Sequence, residues 1–284
     1  ALEYADDSLK KDKEIVLIAI KNNSYAFSYA NKDDKKLRAN KEIVMIVLED
    51  DASFLEYADD SLKKDKEVVL AGVKQDGEVL QYADDSLKKD KDIVLAAVEN
   101  SGLALEYADD SFKKDKEIVL IAVKGKGNAL QFADDSLKKD KEVVLEAIKY
   151  NSYLSFLEFA DDSLKKDKEV VLEAIENSGL ALEFADDSFK KDKEIVLIAV
   201  KQDGLALEFA DHSFKKDKEI VLEALKTDRS DGSALQFADD GFKKNKEIVL
   251  IAVKNNGRAL EYADDSLKKD KEIVLEAVKQ SGFA

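Results

Sequence analysis

The chain has 284 residues, with 46 Lys or Arg against 62 Asp or Glu, a formal net charge of −16. It holds no Cys, Pro or Trp and a single His, which excludes disulfides, thiolate metal sites and a thiol nucleophile. Hydrophobic residues make up 45%, enough for a core. No apolar run reaches the roughly 18 residues of a membrane span, and the opening residues do not read as a signal segment.

An aromatic residue followed by Ala recurs at Tyr4, Tyr29, Tyr57, Tyr82, Tyr107, Phe132, Phe159, Phe184, Phe209, Phe237 and Tyr262. The steps are 25 residues, except for two of 28 and one of 27. The sequence is therefore eleven copies of a 25-residue unit, and self-similarity at such a period marks a repeat architecture. The extra residues fall around 31–38, 150–156 and 227–233.

Each copy opens on a short apolar segment, such as Leu103-Ala104-Leu105-Glu106-Tyr107-Ala108. It reads as a short helix with Leu105 and Ala108 on one face and the Glu column outward. The aromatic column accepts Tyr or Phe equally, so its ring, and not a phenol, is what matters; it is expected in the core. D-D-S-L-K-K follows as a tight turn or single 3₁₀ loop whose Leu or Phe (Leu9, Phe112, Phe189) is expected to plug the core.

Asp12 and its equivalents then read as N-caps, with Glu14 in the first turn, where the helix dipole favours anions. The run Ile15-Val16-Leu17-Ile18-Ala19-Ile20 and its equivalents follow. Five columns of this run stay apolar in every copy. The fourth reads Ile18, Ile46, Ala71, Ala96, Ile121, Glu146, Glu173, Ile198, Glu223, Ile251 and Glu276. At 100° per residue the five fixed columns span about 200° and the variable one falls in the gap. A strand would expose two or three of the six. The run is thus a helix with an exposed fourth column. The fifth column, Ala except at Val47 and Gly72, lets neighbouring copies approach closely. The helix ends at Lys21 and, in eight copies, at a Gly such as Gly77 or Gly102, which reads as a left-handed cap. Ser24, Ala52 and Leu154 replace that Gly.

A lone hairpin of this size cannot bury its apolar faces, but stacked copies can. The expected fold is an all-α, elongated α-solenoid of eleven two-helix repeats, one continuous array over residues 1–284. The chain opens and closes in the same phase of the repeat without a polar capping copy. That leads us to expect an excerpt of a longer array, or ends that meet those of other chains.

The unit G-L-A-L-E-Y-A-D-D-S-L-K-K-D-K-E-I-V-L-x-A-V-K resembles a tandem helical repeat family catalogued only as a domain of unknown function, found in large bacterial, algal, protist and viral proteins. The resemblance rests on A-L-x-[YF]-A, D-K-E and [IV]-V-L-x-A-V and covers the whole chain. It implies an all-α array and transfers no catalytic residue. Copy two departs most, with Arg38-Ala39-Asn40-Lys41 in place of KKDK.

No chemistry stands out. A catalytic site needs unlike groups converging in a pocket, whereas a repeat sets each group eleven times along a line. His212 replaces the second Asp of its pair in copy nine and reads as an exposed substitution. The Asp pairs, such as Asp6-Asp7, read as structural or solvated; the alternative is a weak Ca²⁺ site, although the D-x-D-x-D-G loop is absent. The Lys pairs, such as Lys10-Lys11, lie among acidic residues in an acidic chain, unlike a nucleic-acid face. Phosphate loops and HExxH pairs are absent. The copies differ along one ridge, formed by the fourth column with Lys21, Glu49, Glu99, Lys149 and Asn22, Gln75, Tyr150, Thr227. That ridge reads either as a diverged protein-interaction edge or as drift on an unconstrained surface. The expected role is a non-enzymatic scaffold or protein-interaction spacer without cofactor, nucleic-acid partner or membrane insertion. The alternative is a filament subunit that self-associates end to end.

Overall fold

Asp65 Oδ1 accepts the backbone N–H groups of Glu67 and Val68, at 3.0 and 3.3 Å, and so satisfies amides that a helix start leaves orphaned. Asp12, Asp90, Asp115, Asp167, Asp192, Asp217 and Asp270 do the same in their copies. Asn40 and Asn245 take this place in copies two and ten, so the irregular second copy keeps the cap. This computed structural model describes residues 1–30, 34–149, 156–228 and 232–280. Over these residues the capped segments form eleven long helices, from Lys13–Asn22 in copy one to Lys271–Gln280 in copy eleven, and there is no strand.

The long helices do not end on a left-handed glycine. Asp76 is extended (φ −141°, ψ 108°), and its N–H donates to the Gly72 carbonyl at 3.0 Å. Its side chain accepts the Glu78 N–H at 2.9 Å, so one residue closes a helix and opens the next segment. That segment, Gly77–Tyr82, is a 3₁₀ helix, as are Ala52–Tyr57, Gly102–Tyr107, Gly127–Phe132, Gly179–Phe184 and Gly257–Tyr262. Six residues held between extended neighbours favour i→i+3 bonds over a full α turn, so the expected short helix is of the 3₁₀ kind. In copy ten alone, Ala234–Phe237 is α-helical.

Among the described residues only Gly232 has a positive φ, of 80°. Most of the other turn glycines are there for space. A Cβ on Gly77 would lie 2.1 Å from the Ala97 carbonyl oxygen, and those on Gly102, Gly179 and Gly204 would lie 2.1–2.3 Å from the carbonyls of Ala122, Ala199 and Ala224. In each case the turn that opens a copy presses its backbone against the long helix of that same copy. Ser24 and Ala52 occupy this position in their copies, and Leu154 lies outside the described residues.

The chain forms two units, Ala1–Leu137 and Lys138–Ala284. Inside each, successive long helices lie against one another and against the 3₁₀ segments, which form a second layer. The first, second, fifth and sixth columns of the apolar run are buried in the inner copies, for example Ile118, Val119, Ala122 and Val123. From the 3₁₀ layer come buried residues such as Ala104, Leu105 and Ala108. The aromatic column is half-buried in most copies instead of core, and Tyr4 is 86% exposed. The turn Leu is buried at Leu62, Leu87, Leu137 and Leu164, but Phe112 and Phe189 are half-buried and Leu9 is exposed. A wider ring does not fit the space a leucine fills.

Candidate functional site: the seam between copies

Successive copies are tied by a backbone bond that sequence reading did not anticipate. The N–H of Asp84 donates to the Lys63 carbonyl at 3.0 Å, and Asp109 to Lys88 and Asp134 to Lys113 repeat it. In the second unit Asp161 bonds Lys138, Asp186 bonds Lys165 and Asp264 bonds Lys243. The same Asp caps its own turn: Asp84 Oδ1 accepts from Ser86 N–H and Oγ–H at 3.1 and 2.7 Å. These Ser86 bonds hold the Asp84 carboxyl below the usual carboxylate range. In most copies the second Asp of the pair reaches a lysine three residues on, as in Asp110–Lys113 at 3.3 Å and Asp240–Lys243 at 3.3 Å.

A lysine series runs along the same seam. Lys66 Nζ lies 2.8 Å from Asp90, the N-cap of the following copy, and 2.8 Å from Asp92. Lys41, Lys141, Lys193 and Lys246 make the equivalent pairs to Asp65 with Glu67, Asp167 with Glu169, Asp217 with Glu219, and Asp270 with Glu272. The lysine hydrogen bond lowers the pKa of Asp65, Asp90, Asp167, Asp217 and Asp270. Each of these lysines is raised in turn, first by that aspartate and then by the second carboxylate. The Asp and Lys positions of the repeat are therefore joints, each engaged at its own register. Among the described residues no three His, Asp or Glu side chains converge on a point where a metal ion would sit. His212 is exposed.

The fourth column is not the free ridge the sequence led us to expect. Ile18 is 57% exposed, but Ile46, Ala71, Ala96, Ile121, Glu146, Glu173, Ile198, Glu223, Ile251 and Glu276 are all half-buried. The third column, expected inside, is half-buried too, except Leu275 at 52%. The two end copies explain both. In copy one, which has no neighbour before it here, the fourth column is uncovered and the third is not. In copy eleven, with none after it, the reverse holds. A preceding copy half-covers the fourth column, and a following copy half-covers the third. In copies six, nine and eleven, where the fourth column is Glu, a lysine three residues on pairs with it, as in Glu223–Lys226 at 3.3 Å, whereas Glu173 has Glu176 at that place.

The end of the ridge is also in use. Asn100 Nδ2 donates to the carbonyls of Lys74 and Gln75, at 2.9 and 3.3 Å, while its Oδ1 accepts the Gly77 N–H at 2.8 Å. Gln75, Thr227 and Asn255 donate to the carbonyls of Glu49, Val200 and Asp228. Different polar side chains thus satisfy helix-end carbonyls of the copy before. Tyr150 lies outside the described residues.

The fold and the seam define a tandem-repeat, all-α protein whose charged residues join copy to copy. Models of the family described as "Domain of unknown function (DUF4116)" match residues 1–38, 40–88, 65–113, 90–138, 115–165, 140–190, 192–243, 229–267 and 245–284. The chain belongs to this family. No curated protein and no solved structure matches it.

Proposed function

We propose that the chain is a non-enzymatic repeat scaffold that acts as a protein-binding spacer. The observation that carries this reading is the use of the Asp and Lys positions in bonds between copies. That leaves the half-exposed strip, Ile46, Ala71, Ala96 and Ile121 in the first unit, as the surface that varies from copy to copy. A partner protein would meet a different row of Ile, Ala and Glu at each stretch of the array. No helix of the described residues is long and apolar enough to cross a membrane.

A photo-crosslinking residue at Ile121 or Ile198 tests the reading in cells. A protein adduct should form from these sites and not from the buried Ile118, and an Ile46→Glu/Ile121→Glu/Ile198→Glu variant should lose it. Equal adducts from Ile118, or an unchanged pattern in the triple variant, would contradict partner binding on this strip.

A further inference from the structure

We infer that the outer strip of copies two to five seats the same strip of a second copy of this chain, across a two-fold axis that runs parallel to the long helices between copies three and four. This rests on the protein-binding reading above and gives that strip its partner.

The strip is carried by the long helices Lys41–Asp50, Lys66–Gln75, Lys91–Asn100 and Lys116–Gly125, all in inner copies of the first unit. At 100° per residue the third column, the fourth and the residue three beyond the fourth share one side of each helix. The fourth column reads Ile46, Ala71, Ala96, Ile121, apolar and half-buried throughout. The residue three beyond it reads Glu49, Lys74, Glu99, Lys124, and all four are exposed. Glu49, Lys74 and Glu99 have no ion pair among the described residues. The second unit differs there: Glu146, Glu223 and Glu276 of the fourth column pair with the lysines three residues on in their own helices. Ala71 offers Lys74 no such carboxylate.

The order of the charges selects the partner. A two-fold axis between copies three and four sets copy two against copy five and copy three against copy four. Glu49 then meets Lys124 of the second molecule and Lys74 meets its Glu99, and symmetry repeats both contacts. The fourth column reads Ile-Ala-Ala-Ile in either direction, so isoleucines meet at both ends and alanines in the middle. An axis placed on copy three or on copy four would instead set Lys74 against Lys74 or Glu99 against Glu99, which like-charge repulsion disfavours. At the other end of the helices Lys41, Lys66 and Lys91 are already paired with Glu67, Asp92 and Glu117 of the following copies. Both signs alternate at that end and set no register. The helices have 10 residues each. At about 1.5 Å per residue and roughly 9 Å apart they present a flat footprint of roughly 500 Å². An interface of standard size takes about 800 Å² per partner, so the dimer is expected at about micromolar concentration.

The test is sedimentation velocity of the full chain with Lys74→Glu, Glu99→Lys and the double variant. Both residues are exposed, so the variants should keep the wild-type circular dichroism. Wild type should pass from monomer to dimer with rising concentration and stop there, because a two-fold contact closes on itself. Each single variant sets like charges together twice and should associate about tenfold more weakly. The double variant restores both opposite pairs, and so does an equimolar mixture of the two single variants; both should recover wild-type association. Single variants that associate like wild type, a mixture that does not recover, or growth past the dimer would overturn the two-fold pairing. A wild type that stays monomeric would overturn it as well, and the photo-crosslinker at Ile121 then separates the two readings. An adduct with a different protein would leave the binding strip standing, and no adduct would overturn both.

Discussion

A methyl group added to Gly77 would lie 2.1 Å from the Ala97 carbonyl oxygen, whereas one added to Gly72 would meet only Val79 Cγ2 at 3.3 Å and Leu55 Cδ2 at 3.6 Å. Backbone cannot step aside as a side chain can. Gly77→Ala should therefore push the turn off the long helix and cost about 1–3 kcal/mol, the range of overpacking. Ala52 shows that one junction has adapted to a methyl group at this position, and the helix residue one period before Ala97 is Gly72 itself. Gly72→Ala should be neutral or stabilise by up to about 1 kcal/mol, since alanine is the better helix former in a helix interior. Urea unfolding of both variants checks the pair, and equal effects would contradict the spatial account of the turn glycines.

Each long helix depends on its cap. Asp90 accepts from Asp92 and Ile93 N–H groups while Lys66 of the preceding copy holds its other oxygen, at 2.8 Å. Asp90→Ala should cost about 1 kcal/mol through the lost cap, and Asp90→Asn, which keeps an acceptor oxygen, should recover most of it; thermal unfolding of the two variants reads the difference. Caps, the eleven long helices and the Ile-Val-Leu period were legible because they are written within one copy. The 3₁₀ segments were not, since a six-residue apolar stretch reads alike as α or 3₁₀. The backbone bond from Asp84 to Lys63 was hidden because amides carry no sequence mark. The fourth column misled for a related reason. Accepting both Ile18 and Glu146 shows contact with water, but not that a neighbouring copy covers the other half. The end of the ridge at Gln75, with its equivalent Asn100, read either as an interaction edge or as drift because different side chains satisfy the same carbonyls.

Across the whole molecule the seam ties stability to pH. Aspartates such as Asp65, Asp90 and Asp270 have folded pKa values below those of the unfolded chain. Their contribution is present above the ordinary carboxylate value of about 3.9 and lost as pH falls through the folded values. Lys41, Lys66 and Lys246 are raised, so theirs is present below the ordinary lysine value of about 10.4 and lost as pH rises through the folded values. The melting temperature should be flat between these limits and fall on both sides. Lys66→Gln and Lys246→Gln should together flatten the alkaline fall, and an unchanged alkaline profile would contradict the lysine series.

If neighbouring copies complete each other's interior, damage should spread to the adjacent copies and no further. Val94, in copy four, is fully buried, and Val94→Asp puts an unpaired charge there. Hydrogen exchange by mass spectrometry on the full-length variant should show protection lost over residues 66–125, copies three to five, and kept over residues 193–255 in the second unit. Loss confined to residues 91–100, or equal loss along the whole chain, would contradict the account.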